Sequence, residues 1–401
     1  MENFYTQLPL IFFEEDAWKK AAGICKLQGV TKAMLVFGRN TRKSGLADKV
    51  AASFEAMAIT VFEWTKVKPD PSYHDINEGG HLARKLGVNA VIGIGGGSAM
   101  DTAKGIYCML GNPQTENVMD HCFGGRGKAL PMKRPMALLI MIPTTSGTGS
   151  EVSTGAVITD DEIQYKATLG GLQILPNVAL MDPKLDMSMP FDLTANTAFD
   201  ALTHAIESYL IGGLAHKVKP MMNFNPLTDT MALEASRLIY HNLPTCLDHP
   251  QDLDARAAVK YGAMLAGIGM CPGGLTLGHG IGQLFGAQWH IPHGMGCALG
   301  LVPAIQQGVK VEHNNRERYA RLAYNLGVAV EESDDMQSIA DKICEAIEAL
   351  MKKAKIPTVR ELGHKADEIP ALVEAGMKDP LNYVSVTPEE LTAHLTYLFN
   401  K

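Results

Sequence analysis

The segment AVIGIGGGSAMD, residues 90–101, decides the fold of the first half of the chain. An apolar run that ends in three glycines and a serine predicts a buried strand, a tight loop and the start of a helix. Similar apolar runs lie at 33–37, 60–62, 138–142 and 178–181, and a polar helical pattern follows the first of them to about residue 57. Strands of this kind separated by helices predict a parallel sheet covered on both faces.

The character of the sequence changes near residue 193. Long helical patterns dominate from there, at 194–211, 229–242, 253–270 and 338–355. A chain of 401 residues is also longer than one hydrophobic core usually supports. We therefore expect an α/β Rossmann-like nucleotide-binding domain over residues 1–193 and an all-α domain over residues 194–401.

Composition excludes several classes of function. The net charge is −7 and there is no dense basic run, which argues against a nucleic-acid partner. The apolar run at 135–143 is too short to span a bilayer, and the first residues lack the basic region of a secretory signal. None of the seven cysteines forms a C-x-x-C pair. This pattern predicts reduced thiols in a cytoplasmic protein that has no membrane partner.

Two loops have the composition of a phosphate-binding site. Residues 95–101 read GGGSAMD, and residues 143–151 read PTTSGTGSE directly after another buried strand. Glycines let the backbone approach a pyrophosphate, and the first amides of the following helix face the anion. Ser98 and Asp101 also fit a helix-capping box. Because ligands of such sheets bind at the carboxyl ends of strands, the two loops together predict a bound dinucleotide.

A second cluster has the composition of a metal site. Asp200 and His204 are four residues apart, and a helix would place them on one face. Two further histidines, His279 and His293, are each followed by glycine in apolar surroundings, and His290 lies close by. Three imidazoles and one carboxylate suit Fe(II) or Zn(II), with room for a substrate oxygen.

Taken together, these blocks resemble the iron-containing (group III) alcohol dehydrogenase family. The resemblance rests on GGGSAMDTAK at 95–104, PTTSGTGSEVS at 143–153, FDALTHAIESY at 199–209, and the GHG and IPHG motifs at His279 and His293. It covers about residues 10–390, in family order. It implies a dehydroquinate synthase-like architecture, a metal in the cleft between the two domains, and a homodimer or larger assembly.

Carried over position by position, the resemblance makes Asp200, His204, His279 and His293 the metal ligands. It places the dinucleotide against Gly96, Gly97, Ser98, Asp101, Thr144, Thr145 and Thr148, with further contacts at Lys166 and Leu185.

This chain departs from the family pattern at two positions. Gln283 stands where many relatives carry a histidine close to the nicotinamide. Gly38 stands where NAD-preferring relatives often carry an aspartate, and Gly38-Arg39-Asn40 offers space and a cation for a 2′-phosphate. We therefore expect NADP(H) as well as NAD(H).

The expected reaction is hydride transfer between the nicotinamide and a small primary alcohol or aldehyde. His279 and His293 would be catalytic through the metal, with Gln283 or His290 as participants in proton transfer. Four alternatives remain open on the sequence: a glycerol dehydrogenase-like enzyme, a dehydroquinate synthase-like lyase, a metal-dependent hydrolase that binds no nucleotide, and a catalytically silent binding or assembly protein. The intact set of four ligands argues against the last. The paired loops and the FDALTHA block favour the dehydrogenase.

Overall fold

A computed structural model describes residues 7–211, 224–378, 383 and 386–401. The described chain divides into two compact units. One unit comprises Gln7–Thr145 and Gly149–Ser188, and the other comprises Ser146–Thr148 and Met189–Lys401. A domain boundary at residue 193 stays a prediction.

The first unit contains the predicted parallel sheet. Its six strands are β1 (Leu10–Phe13), β2 (Lys32–Phe37), β3 (Thr60–Trp64), β4 (Ala90–Gly95), β6 (Leu138–Pro143) and β9 (Val178–Met181). Their order is β1-β9-β6-β4-β2-β3, and every neighbouring pair is parallel. In register, Phe37 lies opposite Ile94, and Ile94 lies opposite Ile142. The ends of β2, β4 and β6 therefore follow one another along the same edge of the sheet.

Both faces of this sheet are buried, as continuous apolar strands require. Leu35 and Phe37 point to one face, where they join a core that includes Phe54, while Met34 and Val36 join a core on the other face. The helices of this unit are α1 (Lys20–Leu27), α2 (Arg39–Lys43), α3 (Leu46–Ala56), α4 (Tyr73–Leu86) and α5 (Gly97–Gly111). The α/β fold class expected from the sequence is confirmed.

Two features of this unit differ from the sequence prediction. The helical pattern after β2 is interrupted at Gly45, whose φ of 74° lies in the left-handed region that favours glycine. A small antiparallel sheet was also missed, formed by β5 (Cys122–Phe123), β7 (Gly155–Asp160) and β8 (Tyr165–Gly170) in the order β5-β8-β7. Its strands mix polar and apolar residues, so they lack the apolar runs that reveal the parallel strands.

The second unit is helical in its described residues. Its helices are α6 (Phe191–Leu210), α7 (Pro226–Asp248), α8 (Leu253–Gly273), α9 (Leu277–Trp289), α10 (His293–Gly308), α11 (Arg316–Asn325), α12 (Met336–Lys353), α13 (Ile369–Gly376) and α14 (Pro388–Asn400). Asn225, Asp252 and Asp335 cap the starts of α7, α8 and α12 through side-chain oxygens. One apolar core, which includes Phe199, Phe285 and Ile305, joins these helices.

Glycines permit α9 and α10 to touch along their backbones. A Cβ atom at Gly296 would lie 2.8 Å from the carbonyl oxygen of Gly282, and one at Gly300 would collide with the carbonyl oxygen of Gly278. Helix α6 approaches α9 at Gly278, where an added Cβ atom would lie 3.1 Å from the Glu207 carboxylate. The three helices therefore meet at distances that larger residues at these positions would prevent.

None of the helices in the described part of the chain is both long enough and apolar enough to cross a lipid bilayer.

We expect Gly300→Ala to destabilise the protein by about 1–3 kcal/mol, because the added methyl group forces α9 and α10 apart. Gly269→Ala in α8 is the matched control, since its Cβ would have 3.4 Å to the nearest atom, Met231 Cβ. The control should be neutral or slightly stabilising, as alanine is the better helix former. Urea unfolding measures both; equal stability of the two variants would contradict the close-contact account.

Candidate metal and nucleotide sites

The glycine loop after β4 and the first residues of the threonine loop after β6 adjoin each other in the first unit. Gly96 and Gly97 follow β4 and begin α5, and Thr144 and Thr145 follow β6. The Thr144 amide donates to the carbonyl oxygen of Gly95 at 2.9 Å. A Cβ atom at Gly96 would lie 3.2 Å from the Thr145 hydroxyl, so glycine keeps this surface open. The structure thus brings these four residues together at the start of a fifteen-residue helix.

Ser98 and Asp101 do not form the capping box that their spacing suggests. The N-cap residue of α5 is Gly96, and no side chain caps the helix. The Ser98 hydroxyl donates instead to the carbonyl oxygen of Pro69. Asp101 accepts from the Ser150 hydroxyl at 2.7 Å and from the Val157 amide at 2.9 Å. The capping interpretation is therefore wrong, because both side chains connect α5 to neighbouring segments.

Gly38, Arg39 and Asn40 lie directly after β2, one strand away from the glycine loop. Gly38 is the N-cap residue of α2, with an ordinary φ of −97°. Arg39 is exposed, and within the described residues no ion pair or hydrogen bond engages its guanidinium. Arg42, one turn later, pairs with Asp48 and Glu63. Arg39 is therefore a cation at this edge that an anion could contact.

The remaining predicted cofactor contacts are placed as follows. Lys166 lies on β8 and forms an ion pair of 2.8 Å with Asp70. Leu185 lies in a 3-10 turn and packs on the core beneath β2. Thr148 belongs with the helical unit, where neighbouring Gly147 contacts Thr197 of α6. Cofactor contacts at these positions stay predictions.

Three of the four predicted metal ligands converge in the helical unit. Asp200 lies on α6, His279 in the first turn of α9, and His293 at the first position of α10. The Nε2 atom of His279 lies 3.5 Å from Asp200 Oδ1, and the Nε2 atom of His293 lies 3.6 Å from the same oxygen. His279 and His293 lie 79 and 93 positions after Asp200 in the sequence. The fold thus brings the ligand atoms of all three residues to one point.

His204 lies beside this group. Its Nε2 atom is 3.8 Å from Asp200 Oδ1, and its ring stacks on that of His279 with centroids 4.4 Å apart. The ligand atoms of four residues lie within 4.8 Å of one another, and these residues are Asp200, His279, His293 and Cys297. His204 does not belong to this group. A role for His204 as the fourth ligand stays a prediction.

The donor atoms fit a divalent cation. Asp200 Oδ1, His204 Nδ1 and His279 Nε2 are buried and have no hydrogen-bond partner among the described residues. Unpaired buried polar atoms are unfavourable, so Asp200 Oδ1 and His279 Nε2, which lie only 3.5 Å apart, indicate a missing partner between them. Asp200 and His279 side chains are 5% and 4% exposed, whereas His293 is 37% exposed, so the cluster is open on the His293 side.

The charge states of Asp200 and His204 suit cation binding. Burial acts to raise the pKa of Asp200, but the neighbouring imidazoles, His204 foremost, hold it below its ordinary value. Burial lowers the pKa of His204 to about 3, against the opposing charge of Asp200. Asp200 is therefore an anion and His204 a neutral imidazole near neutral pH, the forms in which they bind metals.

Glu207 is a functional candidate that the sequence prediction missed. It is fully buried on α6 and accepts hydrogen bonds from the backbone amides of Thr276, Gly278 and His279 at 2.8, 2.7 and 3.2 Å. It also accepts from His279 Nδ1 at 2.7 Å. Its position seven residues after Asp200, on the same helix face, is the signal that could have revealed it.

Cys297 is the second residue that the prediction missed. It lies on α10 one turn after His293, and its Sγ atom is 3.5 Å from His293 Nε2. His293 and Cys297 are four residues apart, as are Asp200 and His204. This spacing places both members of a pair on one helix face, so it is a sequence signal for Cys297.

The two candidates for proton transfer lie on α9. Gln283 is half-buried, one turn after His279. His290 is exposed at the C-terminal end of the helix, with a φ of 56°. Catalytic roles for both stay predictions.

Comparison with known proteins identifies the family. Residues 9–183 match the family described as iron-containing alcohol dehydrogenase, and residues 194–397 match the C-terminal part of the Fe-containing alcohol dehydrogenase family. The chain is 34% identical over 355 residues to a choline dehydrogenase of Bacillus subtilis, covering 88% of this chain and 84% of that protein.

Further relatives and a solved structure agree with this match. An NAD-dependent methanol dehydrogenase of Bacillus methanolicus is 31% identical and covers 94% of each chain. A 1,3-propanediol oxidoreductase structure superposes with a TM-score of 0.88 at 28% identity, covering 99% of this chain and 100% of that one. The expected architecture, an α/β nucleotide-binding fold followed by a helical domain, is thereby confirmed. The chain belongs to the iron-containing alcohol dehydrogenase family and is an alcohol dehydrogenase.

Proposed function

We propose that this alcohol dehydrogenase binds a divalent cation through Asp200, His204, His279 and His293 and interconverts a small primary alcohol with its aldehyde. The observation that carries the proposal is the convergence of His279 Nε2 and His293 Nε2 within 3.6 Å of Asp200 Oδ1. Two imidazoles and a carboxylate with an open side are typical of Fe(II) sites, and Zn(II) accepts the same donors. The match to a dehydrogenase family favours this reaction over the lyase and hydrolase alternatives.

The cation would supply Lewis-acid polarisation of the substrate oxygen, and the nicotinamide would accept or donate the hydride. The residues of this chain hold and orient these groups. A carboxylate can only accept a hydrogen bond, so Glu207 fixes the His279 proton on Nδ1. His279 Nε2, which then carries the lone pair, lies 3.5 Å from Asp200 Oδ1, so these two atoms would hold the cation together.

The nucleotide would bind along the sheet edge formed by the ends of β2, β4 and β6. The glycine loop at the start of α5 offers backbone amides to the pyrophosphate. Exposed Arg39 and the small Gly38 favour a 2′-phosphate, so we propose that NADP(H) is used alongside NAD(H). Relatives that use either cofactor exist. The methanol dehydrogenase of Bacillus methanolicus is NAD-dependent, and an NADPH-dependent butanol dehydrogenase of Clostridium saccharobutylicum is 33% identical to this chain.

A homodimeric assembly and a cytoplasmic location are further parts of the proposal. The first is supported only by the family resemblance. The second is supported by the seven cysteines, all described and all free thiols, because reduced cysteines are typical of a reducing compartment.

We expect His279→Ala to abolish metal retention and turnover together, with activity falling by roughly a thousandfold, equivalent to several kcal/mol. The matched control is His249→Ala, which removes an exposed imidazole at the end of α7. Metal analysis and a panel of short aldehydes, assayed with both reduced cofactors, give the two readouts. Normal turnover in metal-free His279→Ala protein would rule out the proposed function.

Glu207→Gln should weaken metal binding by about 10–100-fold, because the amide no longer holds His279 in the metal-binding tautomer. Competition with a chelator measures the affinity, and circular dichroism checks that the variant is folded. Glu234→Gln on α7, which removes an exposed ion pair with Arg237, is the control. Unchanged affinity in folded Glu207→Gln protein would show that Glu207 has no orienting role.

Arg39→Ala should raise KM for NADP(H) by about tenfold, because the 2′-phosphate loses one charged hydrogen bond. KM for NAD(H) should stay nearly unchanged. Gly38→Asp should do the same by repulsion, and its side chain has room, since Val67 lies 3.7 Å from the Cβ position. Steady-state kinetics of both variants and the wild-type protein measures KM for each cofactor. Equal changes for the two cofactors would refute the 2′-phosphate proposal.

A further inference from the structure

The Cys297 thiol lies inside the ligand cluster of the helical unit. Its Sγ atom is 3.5 Å from His293 Nε2 and lies within 4.8 Å of the ligand atoms of Asp200 and His279. The residue is completely buried. His293 and Cys297 are one helical turn apart, so α10 presents an imidazole and a sulfur side by side.

The backbone of α9 closes the space on the other side of the thiol. A Cβ atom at Gly282 would lie 2.8 Å from Cys297 Sγ and 2.9 Å from the Cys297 backbone nitrogen. The Thr203 hydroxyl, on α6, lies 3.3 Å from the carbonyl oxygen of Cys297, while its shorter hydrogen bond, 2.7 Å, goes to the carbonyl oxygen of Phe199. The backbone that carries the sulfur thus lies against both neighbouring helices.

The atoms around the sulfur provide a separate indication of a cation. Asp200 Oδ1 and His279 Nε2 are buried and lack hydrogen-bond partners among the described residues, and both belong to the same group as the sulfur. A dication in so buried a position needs nearby negative charge. Asp200 is the one carboxylate within the group, and a thiolate would bring a second negative charge directly to the cation.

We propose that Cys297 supplies a thiolate ligand to the divalent cation, next to Asp200, His279 and His293. This inference rests on the proposed metal site and adds a sulfur donor to it. On binding, the S–H proton is released and an S–metal bond forms, with no change of oxidation state. A sulfur ligand favours Fe(II), Zn(II) and Co(II) over the hard cations Mg(II) and Mn(II).

Cobalt substitution tests the inference without relying on activity. The full-length protein is stripped of metal, loaded with Co(II), and its near-ultraviolet spectrum is recorded, where a thiolate bound to Co(II) gives an intense charge-transfer band. Wild-type protein and Cys344→Ser should show the band, and Cys297→Ser should bind Co(II) without it. Cys344 is the matched control, because it is also buried in the helical unit but contacts the Gln306 amide.

A second measurement uses wild-type protein alone, so it does not depend on the folding of a variant. X-ray absorption of the Zn(II)-loaded protein should show one sulfur at about 2.3 Å together with nitrogen and oxygen at about 2.0–2.2 Å. Cys297→Ser should also lower Zn(II) affinity by at least about tenfold, while Mn(II) affinity changes little.

The outcomes separate the two proposals. A Co(II) or Zn(II) complex bound through nitrogen and oxygen only overturns the role of Cys297 and leaves the metal site standing. Failure of the wild-type protein to bind either ion overturns both.

Discussion

The close approach of α6, α9 and α10 is the constraint on which the rest of the candidate site depends. Gly278 and Gly282 on α9 meet Gly296 and Gly300 on α10 with no room for side chains between them. The contact brings the first turn of α9 and the first turn of α10 against the middle of α6. Side chains of ordinary length can then reach one point from three helices. Larger residues would push the helices apart and move these side chains away from their common point.

The same arrangement makes α6 both a ligand-bearing helix and the support for α9. Asp200 faces the cation position, and Glu207, two turns later, accepts the first amides of α9. Burying this much unpaired charge and polarity is unfavourable, roughly 1–3 kcal/mol for each unsatisfied group. A bound cation removes that penalty and stabilises only the folded state. Metal binding and the stability of this unit are therefore linked.

The sequence alone predicted the parallel sheet and the four long helices, because continuous apolar runs and helical spacing are strong local signals. It did not reveal α9 and α10. Their many glycines are poor helix formers, and their role is visible only when the helix packed against them is known. Asp200, His279 and His293 could be found from residue type and family order. Glu207 and Cys297 had only a weak signal, their helical spacing from Asp200 and His293, because their roles depend on distances between separate helices. Ser98 and Asp101 show the opposite error, where a plausible local capping pattern is overridden by tertiary hydrogen bonds.

On this interpretation, side chains from three helices share one cation. Anomalous diffraction from crystals of the iron-loaded protein, recorded at the iron absorption edge, tests it most directly. The account predicts a single strong peak about 2.0–2.2 Å from Asp200 Oδ1, His279 Nε2 and His293 Nε2. A peak at another position, or iron-loaded protein with no peak among these three atoms, would contradict it.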